Sequence, residues 1–225
     1  MSSMGTGQAP DGVSTTAGVV VVGAGGHAKV CIELLRAMGL NVAFCIGGDD
    51  SEDDCLGVPV KKGDHHLTSL RSAGYHTAFI AVGANGLRER LAVKVRAEGF
   101  RLISAISPAA TVSPTAVIGE GVAIMAGAVI NAQSRIGDLA IINTCASIDH
   151  DGVIGQAAHV APHGALAGNV QVGDRAFLGI GTKVIPGVSI GADVTAGAGS
   201  VVIRNIEAGS RIVGVPARPL NQETQ

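Results

Sequence analysis

Aromatic side chains are almost missing from this chain: four Phe, one Tyr and no Trp among 225 residues. Charge is sparse and nearly balanced, with 16 Lys and Arg against 18 Asp and Glu. Without stacking faces or a basic stripe, the chain is not expected to take a nucleic-acid partner. No stretch of eighteen or more apolar residues occurs and no signal peptide opens the chain, so no membrane partner and a cytoplasmic location are expected. Cysteine is limited to Cys31, Cys45, Cys55 and Cys145, with no C-x-x-C spacing. That pattern favours free, mostly buried thiols over a disulfide framework or zinc site. Residues 1–17, rich in Ser, Gly and Thr, read as a disordered leader.

What the chain has in abundance is a period of six. Ile106, Val112, Ile118, Ile124, Ile130, Ile136, Ile142, Ile148, Ile154, Val160, Leu166, Val172, Leu178, Val184, Ile190, Ala196 and Val202 follow one another at that step without a slip. Four residues after each rung stands a small or β-branched residue, such as Ala128, Ala140, Gly152, Gly164 and Thr182. A helix of 3.6 residues per turn would smear these rungs around its circumference. A parallel β-helix uses them: short strands form flat faces, the rung points inward, and three hexapeptides close one triangular coil. The period is silent on handedness.

Before the ladder the pattern changes. Residues 19–22 are an all-Val strand, followed by a Gly-rich turn and a helix expected over 29–38. A second strand is expected over 42–46, a third over 78–82, and a helix over 87–98. This order describes a small α/β domain with a parallel sheet. The organisation is therefore a Rossmann-like domain at 18–105, a β-helix at 106–204 and a tail at 205–225. Gly23-x-Gly25-x-x-Ala28 matches the fingerprint in which glycines bring backbone N–H groups to a diphosphate at a helix N-terminus. About 85 residues make only one mononucleotide half, so a nucleotide sugar is preferred to a dinucleotide. Gly25, Gly26 and His27 are the expected phosphate ligands, the alternative being a tight turn without ligand in which His27 is a partly buried cap; Asp49 and Asp50 are either base or ribose ligands or part of a solvated acidic loop through residues 51–54. Asn85 and Arg88 stand at the second strand-to-helix turn, where Arg88 can meet a phosphate bidentately or sit as an ordinary surface arginine.

Histidines give the sharper chemical signal. His150 lies at a corner of the prism between Asp149 and Asp151, where a carboxylate can fix its tautomer for base chemistry. One coil of 18 residues further on, Gly168 falls over it, leaving room for a reacting group and a backbone N–H. His159 precedes a rung and is expected to point outward from a flat face; His163 lies at a corner. Half a coil separates positions 150 and 159, which removes a single-chain zinc site.

The combination of Gly-x-Gly-Gly-His-Ala-Lys-Val, the ladder, Ile148-Asp149-His150-Asp151, Ala158-His159-Val160, Ala167-Gly168-Asn169-Val170, Phe177-Leu178-Gly179-Ile180 and Val213-Gly214-Val215-Pro216-Ala217-Arg218 resembles the bacterial sialic-acid O-acetyltransferase-like family. Within it the likeness is greatest to nucleotide-sugar N-acetyltransferases acting on the 4-amino group of bacillosamine- or perosamine-type sugars. The resemblance implies a left-handed β-helix, a homotrimer with active sites between subunits, acetyl-CoA as co-substrate, no metal, and a role in surface-polysaccharide or glycan synthesis. It implies His150 as the base with Asp151, or alternatively Asp149, as its acid partner, and Asn143 near the sugar amine. His159, Gly168, Gly179, Ile180, Pro216 and Arg218 are then implied on the acetyl-CoA side. The family's paired acidic residues align near Gly47 and Gly48, displaced from Asp49 and Asp50 by two. An O-acetyltransferase, a zinc hydratase and a non-catalytic scaffold are the alternatives.

Overall fold

The protein is described by a computed structural model over residues 18–220; the expected leader at 1–17 lies outside the described residues. Its first unit is built on β1 (Val19–Val22), β2 (Val42–Gly47), β3 (Asp54–Cys55), β4 (Val58–Lys62), β5 (Thr77–Ile80) and β6 (Arg101–Leu102). These form a sheet in the order β3-β4-β2-β1-β5-β6, parallel throughout except for the β3–β4 hairpin. A central strand buried on both faces has no need to alternate, which is why β1 is four valines. Val19 and Val21 pack towards α1 (Gly26–Ala37), whereas Val20 and Val22 pack towards α2 (His66–Ser72) and α3 (Asn85–Ala97). Both long helices begin two or three residues before their expected starts, because their glycine-bearing turns already form the first helical turn. The hairpin, α2 and β6 carry too little periodicity to be read in advance.

From Ala105 onward the chain winds a left-handed prism of two-residue strands. Strands 18 residues apart pair in register, Ala123–Ile124 with Ile141–Ile142 for example, so three flat parallel sheets result. The first face carries residues 123, 141, 159, 177 and 195. The second carries 129, 147, 165, 183 and 201; the third carries 117, 135, 153, 171 and 189. Every rung from Ile124 to Val202 is buried, as is every residue four beyond a rung from Val122 to Ser200. The sharp bend falls one residue earlier than those small side chains. Residues 121, 127, 133 and so on to 199 take positive φ at every sixth position, Gly in five cases and a non-Gly residue in the others.

The α/β unit docks on the first face of the prism. Ala105, Ala123, Met125 and Ile141 join the cluster under α1, and Leu139 and Ala157 join the cluster under α3. At the far end Arg211–Val213 and Arg218–Pro219 form a hairpin whose Ile212 and Ala217 close the last coil. No helix among the described residues is long and apolar enough to cross a membrane.

Candidate active site

His150 is held by its two acidic neighbours in different ways. Asp151 takes positive φ at the corner, and its Oδ2 lies 2.8 Å from His150 Nδ1. Asp149 faces backwards: its Oδ1 accepts the His150 backbone N–H at 2.8 Å and the Asn131 amide at 3.0 Å. Asp151 is therefore the ring's partner, while Asp149 shapes the loop. The Asp151 hydrogen bond raises the His150 pKa above its ordinary value, with Asp149 and Asp151 adding to it through their charge. Gly168 lies directly over the ring, and a Cβ there would overlap His150 Nε2 and Cε1. Its own N–H donates to no group among the described residues. The His150 Nε2 and a backbone amide without a partner among the described residues thus meet at the edge between the second and third faces.

A second group of residues forms on the first face, under the α/β unit. His159 points outward as expected, and what covers it is the chain's own N-terminal domain, leaving it 8% exposed. Its Nε2 lies 3.0 Å from Asn143 Nδ2. Asn143 Oδ1 accepts the Thr144 backbone N–H at 2.8 Å, which fixes the amide so that it donates to the ring. His159 also meets Phe177 edge-on and stands 6.5 Å from the His27 ring. Burial, then the charge of Arg88, pushes the His159 pKa down to about 3 and lowers that of His27. His159 Nδ1 and His27 Nε2 are buried without hydrogen-bond partners.

The glycine turn opens a cleft of ≈ 310 Å³ lined by Ala24, Gly25, Gly26, Lys29, Asp50, Ser51 and Glu52. Gly23 is demanded by packing, since at φ +125° any Cβ would strike the Ala81 carbonyl. A Cβ on Gly25 or Gly26 would meet nothing within 4 Å. Asp50 lines this cleft, whereas Asp49 does not; Lys29 stands in the glycine-turn motif without an expected role, and Ser51 and Glu52 belong to no motif.

The expected phosphate contact of Arg88 is corrected, and with it the place of Asn85 on the substrate side. Arg88 is 1% exposed and spends every N–H inside the protein, on the carbonyls of Val82, Gly83, Leu139 and Ala157 and on Asn85 Oδ1. Asn85 Nδ2 in turn donates to Arg175 O and Ala176 O. Neither side chain has a donor left for phosphate, so both join the domains instead. Gly179 is explained by the next coil, because a Cβ would lie 2.7 Å from Ala196 O. Ile180, Pro216 and Arg218 are exposed. Cys31, Cys45 and Cys55 are buried free thiols and Cys145 an exposed one. No group of three metal-ligating side chains occurs among the described residues.

Residues 18–95 match the PglD N-terminal domain. PerB from Caulobacter crescentus, solved in complex with CoA and GDP-perosamine, is 53% identical over 91% of this chain and 97% of that one, with a TM-score of 0.88. The acetyltransferase domain of PglB from Neisseria gonorrhoeae, solved with acetyl coenzyme A, is 38% identical over 90% and 98%, with a TM-score of 0.84. Among curated proteins, the serine acetyltransferase of Mycobacterium tuberculosis is 30% identical over 135 residues, covering 59% of this chain and 53% of that protein. The chain spans about half the length of the curated relatives it matches. With near-complete coverage of chains 53% and 38% identical to it, this chain belongs to the hexapeptide-repeat acetyltransferases that open with a PglD-type N-terminal domain.

Proposed function

We propose that the protein transfers the acetyl group of acetyl-CoA to the 4-amino group of a nucleotide-linked 4-amino-4,6-dideoxy sugar, with a GDP-perosamine-like substrate favoured. The observation that carries this reading is the His150 ring seated against Gly168 with Asp151 on its Nδ1. In the proposed reaction the neutral amine attacks the thioester carbon and His150 Nε2 accepts the amine proton. The tetrahedral species then collapses, the C–S bond breaks, and the CoA thiolate takes the proton back from the imidazolium. A positioned base of this kind is worth about 10²- to 10⁴-fold. Gly168 N–H is suited to the developing oxyanion, which is a contribution of similar size. No cysteine or serine stands beside His150 in the chain, so direct transfer is preferred to an acyl-enzyme.

Sugar recognition is assigned to the cleft at Gly25 and Gly26, next to His27, with Asp50 and Asp49 towards the base and Asn143 towards the amine. The bareness of Gly25 and Gly26 supports this, since neither packing nor backbone conformation requires glycine there. The acetyl-CoA side is assigned to His159, Gly168, Gly179, Ile180, Pro216 and Arg218. Asn143, Gly179 and Ile180 run along the edge between the first and second faces, whereas His150 and Gly168 run along the edge between the second and third. A groove between two prisms, one edge from each, unites them, and we assign the active assembly as a homotrimer acting in the cytoplasm for surface-polysaccharide synthesis. The test is release of free CoA thiol from acetyl-CoA against a panel of GDP-, UDP- and dTDP-linked 4-amino sugars. Release with the GDP-linked sugar in preference to the others is expected; release with none of them overturns the reading.

A further inference from the structure

Among the described residues the exposed isoleucines are Ile180, Ile185 and Ile203, and none of them is a rung. Ile185 and Ile203 each follow a second-face rung by one residue, which places them on the edge that carries His150 and Gly168. Ile180 stands on the other edge of the proposed groove. Corners on the base edge stack in order: Asn169 N–H donates to His150 O at 2.9 Å and Gly187 N–H to Gly168 O at 3.0 Å. Climbing from His150, this edge carries Ala167 and Gly168, then Ile185 and Pro186, then Ile203 and Arg204. The N–H groups of Ala167 and Ile185 are spent on Val184 O and Val202 O, and Pro186 has none. Descending from Asp149, the positions taken above by Ala167, Ile185 and Ile203 hold Asn131 and Ser113. The edge therefore turns from polar below the base to apolar above it, and such an exposed apolar strip marks a ligand groove. Arg204 ends the strip at the last corner, just before Ile206 bridges Ile190. It is exposed and makes no hydrogen bond or ion pair among the described residues, not even with Glu207, which shares a cavity with it.

We infer that the strip from Ala167 through Ile185 to Ile203 carries the pantetheine arm of acetyl-CoA up the base edge, and that Arg204 holds a phosphate of the coenzyme at its end. The identity of the ligand rests on the acetyltransfer reading. Length agrees with the assignment. Parallel strands are spaced about 4.8 Å apart, so Arg204, three coils above His150, stands about 14 Å from it along the prism. The arm has about thirteen bonds from sulfur to the first phosphorus, each advancing about 1.2 Å when extended, and so reaches about 16 Å. A thioester over Gly168 thus delivers its phosphates to Arg204, whose guanidinium fork suits them. The other exposed cations near this edge are too close to the base. Lys183 lies on the flat second face only two coils above the His150 level, about 10 Å, and Arg135 on the third face about one coil below it.

The experiment compares Arg204→Ala and Ile185→Asp with the unaltered full chain, folding and assembly being checked by circular dichroism and sedimentation. Both side chains are exposed, so both variants should fold. Calorimetry reads CoA binding, and steady-state kinetics reads kcat and both KM values. In each variant the CoA Kd and the acetyl-CoA KM should rise about tenfold or more, with kcat and the GDP-perosamine KM within about twofold. Acetyl-pantetheine, which carries no phosphate, should serve Arg204→Ala as well as it serves the unaltered protein, whereas Ile185→Asp should still impair its use. Acetyl-dephospho-CoA tells which phosphate is held: an Arg204→Ala penalty that vanishes with it assigns the 3′-phosphate, and one that persists assigns the diphosphate. An unchanged CoA Kd in either folded variant overturns the inference, as does an Arg204→Ala penalty equally large with acetyl-pantetheine. If Ile185→Asp does not fold, Ile185→Ser takes its place under the same criteria. Binding of CoA without thiol release for any sugar would defeat the acetyltransfer reading, while the Kd comparison would still decide the place of the coenzyme.

Discussion

A general base works only while it is unprotonated, and the Asp151 hydrogen bond raises the pKa of His150. The acid limb of kcat/KM is therefore expected above the ordinary imidazole value, with activity lost as the pH falls through it. Asp151→Asn removes the charge behind Nδ1, so this limb should move to lower pH; Asp149→Asn should move it less, since that carboxylate faces the backbone. His150→Ala should lower kcat/KM by about 10²- to 10⁴-fold at neutral pH. A limb that stays in place in Asp151→Asn would remove the pairing. Gly25→Val tests the other end of the substrate: the added side chain enters open space, so folding should survive and acetyl-CoA binding hold, while GDP-sugar affinity falls about tenfold or more, read by calorimetry. The place of His150 and Gly168 was visible in the sequence because a fixed coil length of 18 converts position into place; Gly168 over His150 follows from counting. Arg88 was not legible in the same way. An arginine at a strand-to-helix turn can reach outward to phosphate or inward to carbonyls, and which it does depends on how the α/β unit docks on the prism, a relation no local pattern encodes.

Each hexapeptide makes its bend at one residue, three beyond the rung, and the cost there is conformational. At Gly187, φ +72°, an added Cβ would meet nothing within 4 Å, so Gly187→Ala isolates the backbone cost. It should destabilise by about 1 kcal/mol, visible as a lower Tm by calorimetry. Gln133 takes the same conformation at φ +60° with an exposed side chain, and Gln133→Gly should be close to neutral or slightly stabilising, because relief of strain offsets the added chain entropy. An equal loss at both positions would show that the corners are not governed by φ. The rungs answer to packing instead: Leu178, fully buried, should cost about 2–5 kcal/mol on replacement by Ala. This division explains what was readable at the scale of elements. Rungs and small inward residues repeat by chemistry and announce the prism, whereas the bend tolerates Gln, Leu, Cys, Asp, Ala, His, Asn and Arg and is silent in composition. The α2 helix and the β3–β4 hairpin are equally silent, being too short for a period to show.

At the scale of the whole molecule the two halves of the proposed site lie on different edges of one prism, and the α/β unit covers the first face, whereas His150 stands at the opposite edge. A site assembled from two subunits makes a prediction that one confined to a single chain does not. His150→Ala disables the base edge and leaves the Asn143–His159 group intact; Asn143→Ala does the reverse, and each variant alone should be nearly inactive. When the two are unfolded together and reassembled, a groove that receives its base edge from an Asn143→Ala subunit and its amide edge from a His150→Ala subunit contains no altered residue. Random mixing into a closed ring makes about one groove in four of this kind, so activity should return to about a quarter of that of the unaltered protein. Sites built within single chains would all carry one defect whatever the mixture, and activity would stay at the level of the parents. Thiol release measured before and after reassembly, with a control in which each variant is reassembled alone, separates the two arrangements. Recovery that scales with the product of the two subunit fractions fixes the groove between prisms as the place of reaction, and its absence returns the site to one chain.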